Sequence, residues 1–119
     1  MPLPNGFPLF VDPYMKDGGI AVFVGTVATG AVTKVGGLCT CGDFTSGLAA
    51  ITFPKCKKAV PLKANENTGA ADDASNTGLQ ITDVDAGAGT ANLRGAKRTD
   101  GTDQAPADGT ITFSLLLSW

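Results

Sequence analysis

From residue 110 to 119 the chain alternates, with Ile111, Phe113, Leu115, Leu117 and Trp119 separated by Thr110, Thr112, Ser114, Leu116 and Ser118. A period of two belongs to a strand with one face in a core. Ile111, Phe113, Leu115 and Leu117 are therefore predicted core residues, and Thr110, Thr112, Ser114 and Ser118 are predicted to face outward. Asp108-Gly109 just before this run is a turn signal that brings the strand back antiparallel onto a neighbour. Residues 20–28 read differently, because this Val-rich run between Gly18-Gly19 and Gly30 carries apolar side chains on both alternating sets. That is the pattern of a central strand buried on both faces or lying at an oligomer seam.

Further strands are predicted at 31–35, 38–41, 48–53, 60–63, 79–84 and 90–94, each short and ended by Gly, Pro, Asn or Asp. No window repeats apolar residues at helical spacing over a helical length, and Gly or Pro interrupts almost every run of twelve. The fold class that follows is all-β: a small antiparallel β-sandwich or jelly-roll-like barrel with long ordered loops and negligible helix. No internal repeat of solenoid or propeller length is present.

The alternation lapses over residues 64–78 and 95–109, two polar stretches near fifteen residues long. Connections of that length are uncommon inside compact domains unless functional or disordered. Contacts with neighbouring chains are the simplest way to offset the entropy of ordering them, with hydrogen bonding inside the loop as the alternative. A homo-oligomer, a trimer by preference, is therefore expected.

Residues 1–13 interleave Leu3, Phe7, Leu9, Phe10 and Val11 with Pro2, Pro4, Pro8 and Pro13. Proline narrows the free chain's conformations and so lowers the entropy lost on docking. The segment reads as an extended N-terminal arm, with residues 14–119 as a single β-domain; the alternative is a segment lying over its own core. Leu3, Phe7, Leu9, Phe10 and Trp119 are the candidate interface residues. Trp119 joins them because a terminal ring stays ordered only when packed, by the core or by a neighbouring subunit.

Composition limits the chemistry. Leu, Val, Phe and Ile together number 28 of 119 residues against 16 Gly, so the core is thin. There is no His, which removes the commonest general base and the commonest metal ligand. A Ser or Cys nucleophile would need Lys or an N-terminal amine instead, and no recognisable arrangement supports that. Neither catalysis nor a cofactor is expected.

The net charge is −2, with six basic and three acidic residues in 1–64 and three basic and eight acidic in 65–119. A net-acidic chain lacks the footprint of direct nucleic-acid binding. The longest apolar run, residues 19–28, is half the roughly 20 residues of a membrane helix, so no membrane partner is expected. The N-terminus, without a basic region and broken by prolines, does not read as a secretory signal. Three cysteines, Cys39, Cys41 and Cys56, are too few for a disulfide scaffold and fit a reducing cytoplasm. Three thiolates without His do not complete a structural zinc site. Cys39 and Cys41 read as small apolar side chains on one face, and a Cys41–Cys56 disulfide stays open.

The remaining motifs reduce to turns. Residues 25–30 have the outline of a phosphate loop but continue into Ala31-Val32 in place of Lys and a hydroxyl residue, so they read as a strand ending in a turn. Gly87-Ala-Gly89 lacks the third glycine of a dinucleotide fingerprint. Asp83-Val-Asp85 opens like a calcium loop but reaches Arg94 where a bidentate Glu is needed. The carboxylate pairs Asp72-Asp73 and Asp100 with Asp103 lie in polar sequence with nothing apolar to raise a pKa. Lys55, Lys57, Lys58 and Lys63 either face an acidic partner or guard a sheet edge.

The Gly/Ala/Thr/Asn-rich composition, the short β-runs, the long polar loops and the C-terminal strand from Asp108 to Trp119 together resemble the small virion structural proteins of tailed bacteriophages, above all the capsid decoration or cement proteins. The resemblance implies a small β-domain, often trimeric, that is made in the host cytoplasm and sits on the virion surface. There it bridges subunits of the major capsid protein without catalysis. The alternative is a head or tail fibre module that binds a receptor or glycan. One Trp and one Tyr, Trp119 and Tyr14, offer few aromatic faces for sugars.

Overall fold

The computed structural model describes residues 9–12, 15–67 and 77–119. Nine strands and no helix account for their regular structure: β1 (Leu9–Asp12), β2 (Met15–Ala28), β3 (Ala31–Gly37), β4 (Thr40–Cys41), β5 (Leu48–Thr52), β6 (Lys58–Asn67), β7 (Thr77–Asp85), β8 (Thr90–Lys97) and β9 (Gly109–Ser118). They form two antiparallel sheets. In the first, β2 pairs with β9 and β9 with β6, while the far edge of β2 is shared end to end by β1 and β3. The second runs β4-β5-β8-β7. Because β2 pairs β9 and β5 pairs β8, early and late strands nest as in a jelly roll. The all-β sandwich expected from the alternation is the observed fold.

Period-two burial explains the layers. In β9, Ile111, Phe113, Leu115 and Leu117 are buried and every intervening residue is partly exposed. Their β2 partners on the same face are Gly25, Phe23, Ala21 and Gly19. Phe23 and Phe113 sit directly opposite and stack, ring centroids 4.9 Å apart and planes 12° from parallel. The Phe23 ring lies over Gly25, where a Cβ would come within 2.5 Å of Cζ and 2.7 Å of the Thr33 carbonyl oxygen. Ala49, Ile51, Ala91 and Leu93 close the core from the second sheet.

The β2–β3 hairpin turns on Thr29-Gly30, both at positive φ (50° and 81°), between the paired Ala28 and Ala31. This two-residue geometry matches the right-handed twist of the strands, but it normally recruits Asn-Gly. A threonine is held there by contacts from outside the hairpin. The Thr29 N–H donates to Asp108 Oδ1 at 2.7 Å, and the Gly30 carbonyl accepts from the Phe44 N–H at 2.8 Å. Residues 25–30 are thus the end of a strand and a turn.

Several expectations need correction. Residues 20–28 are not buried on both faces by this chain, since Ala21, Phe23 and Val27 are covered while Val22 on the other face is 36% exposed. The polar stretch 64–78 is mostly strand at its ends: β6 runs through Asn67 and β7 begins at Thr77. Lys63 and Asn65 pair opposite outward-facing Ser114 and Thr112, whereas Ala64 and Glu66 lie opposite inward Phe113 and Ile111. Pairing along the full length of β9 overrides the weak β-propensity of Asn, Lys and Glu. Conversely, only Thr40–Cys41 of residues 38–41 is strand.

The stretch 95–109 is ordered from within. Gly95–Lys97 belongs to β8, and the chain beyond it doubles back, with Lys97 N–H donating to the Thr102 carbonyl and Gln104 N–H to that of Gly95. Arg94 is anchored on Asp103 at 2.7 Å, and Gln104 Nε2 donates to Thr77 Oγ1. These bonds remove this loop as an argument for an oligomer.

The last part of the expected arm, Leu9–Asp12, is β1 on the edge of the first sheet. Leu3, Phe7 and the remainder of residues 1–8 lie outside the described residues, as does the pair Asp72-Asp73.

Candidate functional site

The outer face of the first sheet is built by the same strands that make the core. Cross-strand register stacks its side chains in rows across β2, β9 and β6: Ile20–Leu116–Val60, then Val22–Ser114–Lys63, then Val24–Thr112–Asn65. The first row is wholly apolar and later rows turn polar toward the β2–β3 hairpin. Val60 is 41% exposed, and Leu62, the extra residue of a bulge between Pro61 and Lys63, is 48% exposed. Between the second and third rows lies a trough of about 350 Å³ lined by Val22, Val24, Thr112, Ser114, Lys63 and Asn65. The charged side chains that β6 adds to this face are Lys58 and Lys63, and the rows contain no carboxylate. Ile20 and Leu116 are partly exposed beside the exposed Val22 and Val60; apolar side chains reaching the surface together mark interaction sites, and the lysines set the sign of a matching rim.

β6 is an edge strand of its sheet, so Lys58, Lys63 and Pro61 also occupy positions that discourage edge-to-edge pairing. Both sequence readings of the lysine run are therefore compatible with its place. The signal for the face was present in the sequence as the second apolar set of residues 20–28; what could not be read was that Val60 and Leu116 extend it.

The five candidate interface residues do not converge on this face. Leu9 and Phe10 stand in β1, paired with Gly19 and Gly18, and Leu3 and Phe7 lie outside the described residues. Trp119 is partly buried against the core, and its indole Nε1 donates to the Lys55 carbonyl at 2.9 Å. Its order is explained inside one chain.

The chemistry-bearing side chains are engaged in structure. All three cysteines are free thiols. Burial pushes the Cys39 thiol up to about 12 and that of Cys41 up to about 11, where neither is a nucleophile near neutrality. Cys56 is raised by burial, partly offset by hydrogen bonding with the Ser118 and Lys58 backbone. Asp83, at the irregularity in β7, accepts from Asn92 Nδ2 of β8 at 3.0 Å, and Asp85 at the end of β7 accepts from the Ala88 N–H of the following turn at 3.2 Å, so both serve the β7–β8 hairpin. Asp100 caps the Thr102 N–H at 2.9 Å, which with the Thr102 hydroxyl holds its carboxyl below the ordinary range, while Asp103 pairs with Arg94. Among the described residues, no three Cys, Asp or Glu side chains come together as a metal site would require.

Glu66 is the exception. It lies opposite Ile111 on the inward side of β6, and its Oε2 is buried with no partner among the described residues. Burial raises its carboxyl above the usual value of 4.5, against a hydrogen bond from the Ala107 backbone and the positive charge of Arg98.

No known protein family, curated protein or solved structure matches the chain. Fold and site define a small antiparallel β-sandwich with one apolar, cation-rimmed outer face.

Proposed function

We propose that the protein is a non-catalytic assembly protein of the capsid-decoration type, which docks the outer face of its first sheet on the major capsid protein of a phage head. The observation that carries this reading is the apolar row Ile20–Leu116–Val60, rimmed by Lys58 and Lys63 and free of carboxylates. A surface with an apolar centre and carboxylates at its margin is the complementary partner. A second copy of the same face would set lysines near lysines, so trimer formation, if the protein is a trimer, uses other surfaces. The mechanism is mechanical: each copy adds interface across neighbouring coat subunits, and its strength comes from buried apolar area with charge fixing orientation. Cytoplasmic synthesis and a place on the virion surface follow from the same reading.

The test is co-sedimentation with phage heads stripped of their outer proteins, with copy number read by electron microscopy. Wild-type protein should bind in hundreds of copies, and Val60→Glu should weaken binding at least about tenfold. Its melting curve should stay near that of the wild type, because the site is exposed. Saturation at a few dozen copies, or undiminished binding of Val60→Glu, overturns the proposal.

A further inference from the structure

We propose that the outer face of the second sheet carries a binding site for an acidic sugar, in the notch bounded by Gln80, Arg94 and Arg98. The notch has a volume of about 390 Å³ and is lined by Gly78, Leu79, Gln80, Arg94, Ala96, Lys97 and Arg98. Charge sets it apart. Residues 65–119 contain three cations among eight carboxylates, and all three cations line this notch while no carboxylate does.

The floor is built for access. Gly78 and Ala96 face each other across β7 and β8, and the atoms nearest to a Cβ at Gly78 would be Arg98 Cγ at 3.8 Å, the Ala96 carbonyl oxygen at 3.9 Å and Arg98 Nε at 4.0 Å. The Arg98 side chain therefore passes over a floor left low by glycine. Arg94 is held from outside the notch, with Nε donating to Asp103 Oδ1 at 2.8 Å and Nη2 to the Gly101 carbonyl at 3.3 Å. Among the described residues those contacts do not use Nη1. Gln80 lies directly across from Arg94 and supplies both a donor and an acceptor for hydroxyls.

A second depression, of about 280 Å³ between β6 and β7, shares Leu79 and Gln80 with the notch and adds Lys63. Two depressions that meet at Gln80, both cationic and neither lined by a carboxylate, describe a path for more than one ring. Their volumes are near the lower end of small-ligand sites. Guanidinium groups recognise a carboxylate by charge-assisted hydrogen bonds that a neutral ring does not supply. A peptide is the poorer fit. Strand addition needs an open sheet edge, and the open edge of β7 lies on the side away from β8, the strand that carries Arg94 and leads into Arg98.

The experiment is calorimetric titration at low salt with a hyaluronan tetrasaccharide, the same tetrasaccharide with its carboxyls reduced, and hexaglutamate. The acidic tetrasaccharide should bind, and reduction should weaken it about tenfold. Arg98→Ala should weaken it by a similar factor. Gly78→Val should do so as well, by filling the floor without changing charge, while amide spectra show both variants folded. Lack of binding by the acidic probe, equal binding of its reduced form, or unchanged affinity in both variants overturns the site. Hexaglutamate binding as tightly as the sugar overturns the sugar assignment in favour of an acidic protein segment.

Discussion

Truncating Phe113 to Ala tests the register on which both faces of the first sheet depend. Phe113 is 2% exposed and stacked on Phe23 with a centroid separation of 4.9 Å. A buried aromatic side chain removes about 150–250 Å² from water, worth about 4–6 kcal/mol at 25 cal/mol per Å². Partial collapse of the cavity brings the expected loss to about 3–5 kcal/mol. A chain of 119 residues has a total stability of about 6–18 kcal/mol, so the variant should remain folded at 25 °C with a much lower urea midpoint and an unchanged slope. Thr112→Ala, one residue away on the outer face, should cost less than about 1 kcal/mol. Phe23→Ala and the double variant complete a cycle whose coupling should be about 0.5–1.5 kcal/mol for a stacked pair. Equal losses at Phe113 and Thr112, or a coupling indistinguishable from zero, would refute the assigned phase and the stack.

Gly25→Ala should destabilise by about 1–3 kcal/mol in the same urea assay, because its Cβ is directed into the Phe23 ring and the Thr33 carbonyl. At the β2–β3 turn, Thr29→Asn should raise the midpoint by about 0.5–1 kcal/mol equivalent, since Asn tolerates the left-handed region better; Asp108→Ala should lower it by about 1 kcal/mol through loss of the Thr29 hydrogen bond. Glu66 has a folded pKa above its ordinary 4.5, so its contribution to stability is fully present below that value and is lost as pH rises through the folded value. Chemical denaturation across pH should accordingly find Glu66→Gln more stable than wild type at neutral pH, the difference closing below about pH 4; a constant difference at every pH would assign it to packing instead of charge.

The two proposed surfaces are centred on opposite outer faces of the sandwich, one apolar with lysines at its rim and one polar with arginines, and Lys63 borders both. A molecule docked on a lattice through the first sheet would keep the Arg94–Arg98 notch turned away from it, so variants at Val60 and Arg98 address separate surfaces while Lys63 is shared. Val60→Glu should leave tetrasaccharide binding intact, and Arg98→Ala should leave head binding intact.

Local rules were sufficient wherever one face of a strand met the core and the other met water. That is why β9 could be read residue by residue, and why the strands at 48–53, 79–84 and 90–94 were recognisable from short apolar runs between turn residues. Those rules failed where a partner strand decided the outcome. Residues 64–67 carry little β-propensity and became strand because the whole length of β9 was there to pair with them. Leu9–Asp12 became a strand because β2 overhangs its sheet far enough to take a partner beside Gly18 and Gly19. The left-handed conformation of Thr29 is held by Asp108, 79 residues away, which accepts its N–H, and by Phe44, which donates to the Gly30 carbonyl.

The surfaces divide in the same way. The second apolar set of residues 20–28 was legible as a pattern of burial on both faces or of an oligomer seam, but that it lies on an outer face continued by Leu116 and Val60 required the β2–β9–β6 order, which no local pattern encodes. Arg94 and Arg98 are separated in sequence from Gln80 and Gly78 by more than a hairpin turn, and only the β7–β8 register places them around one notch. Side-chain period is a property of consecutive residues and survives in the sequence, whereas strand order and register are set by long-range closure of the sandwich.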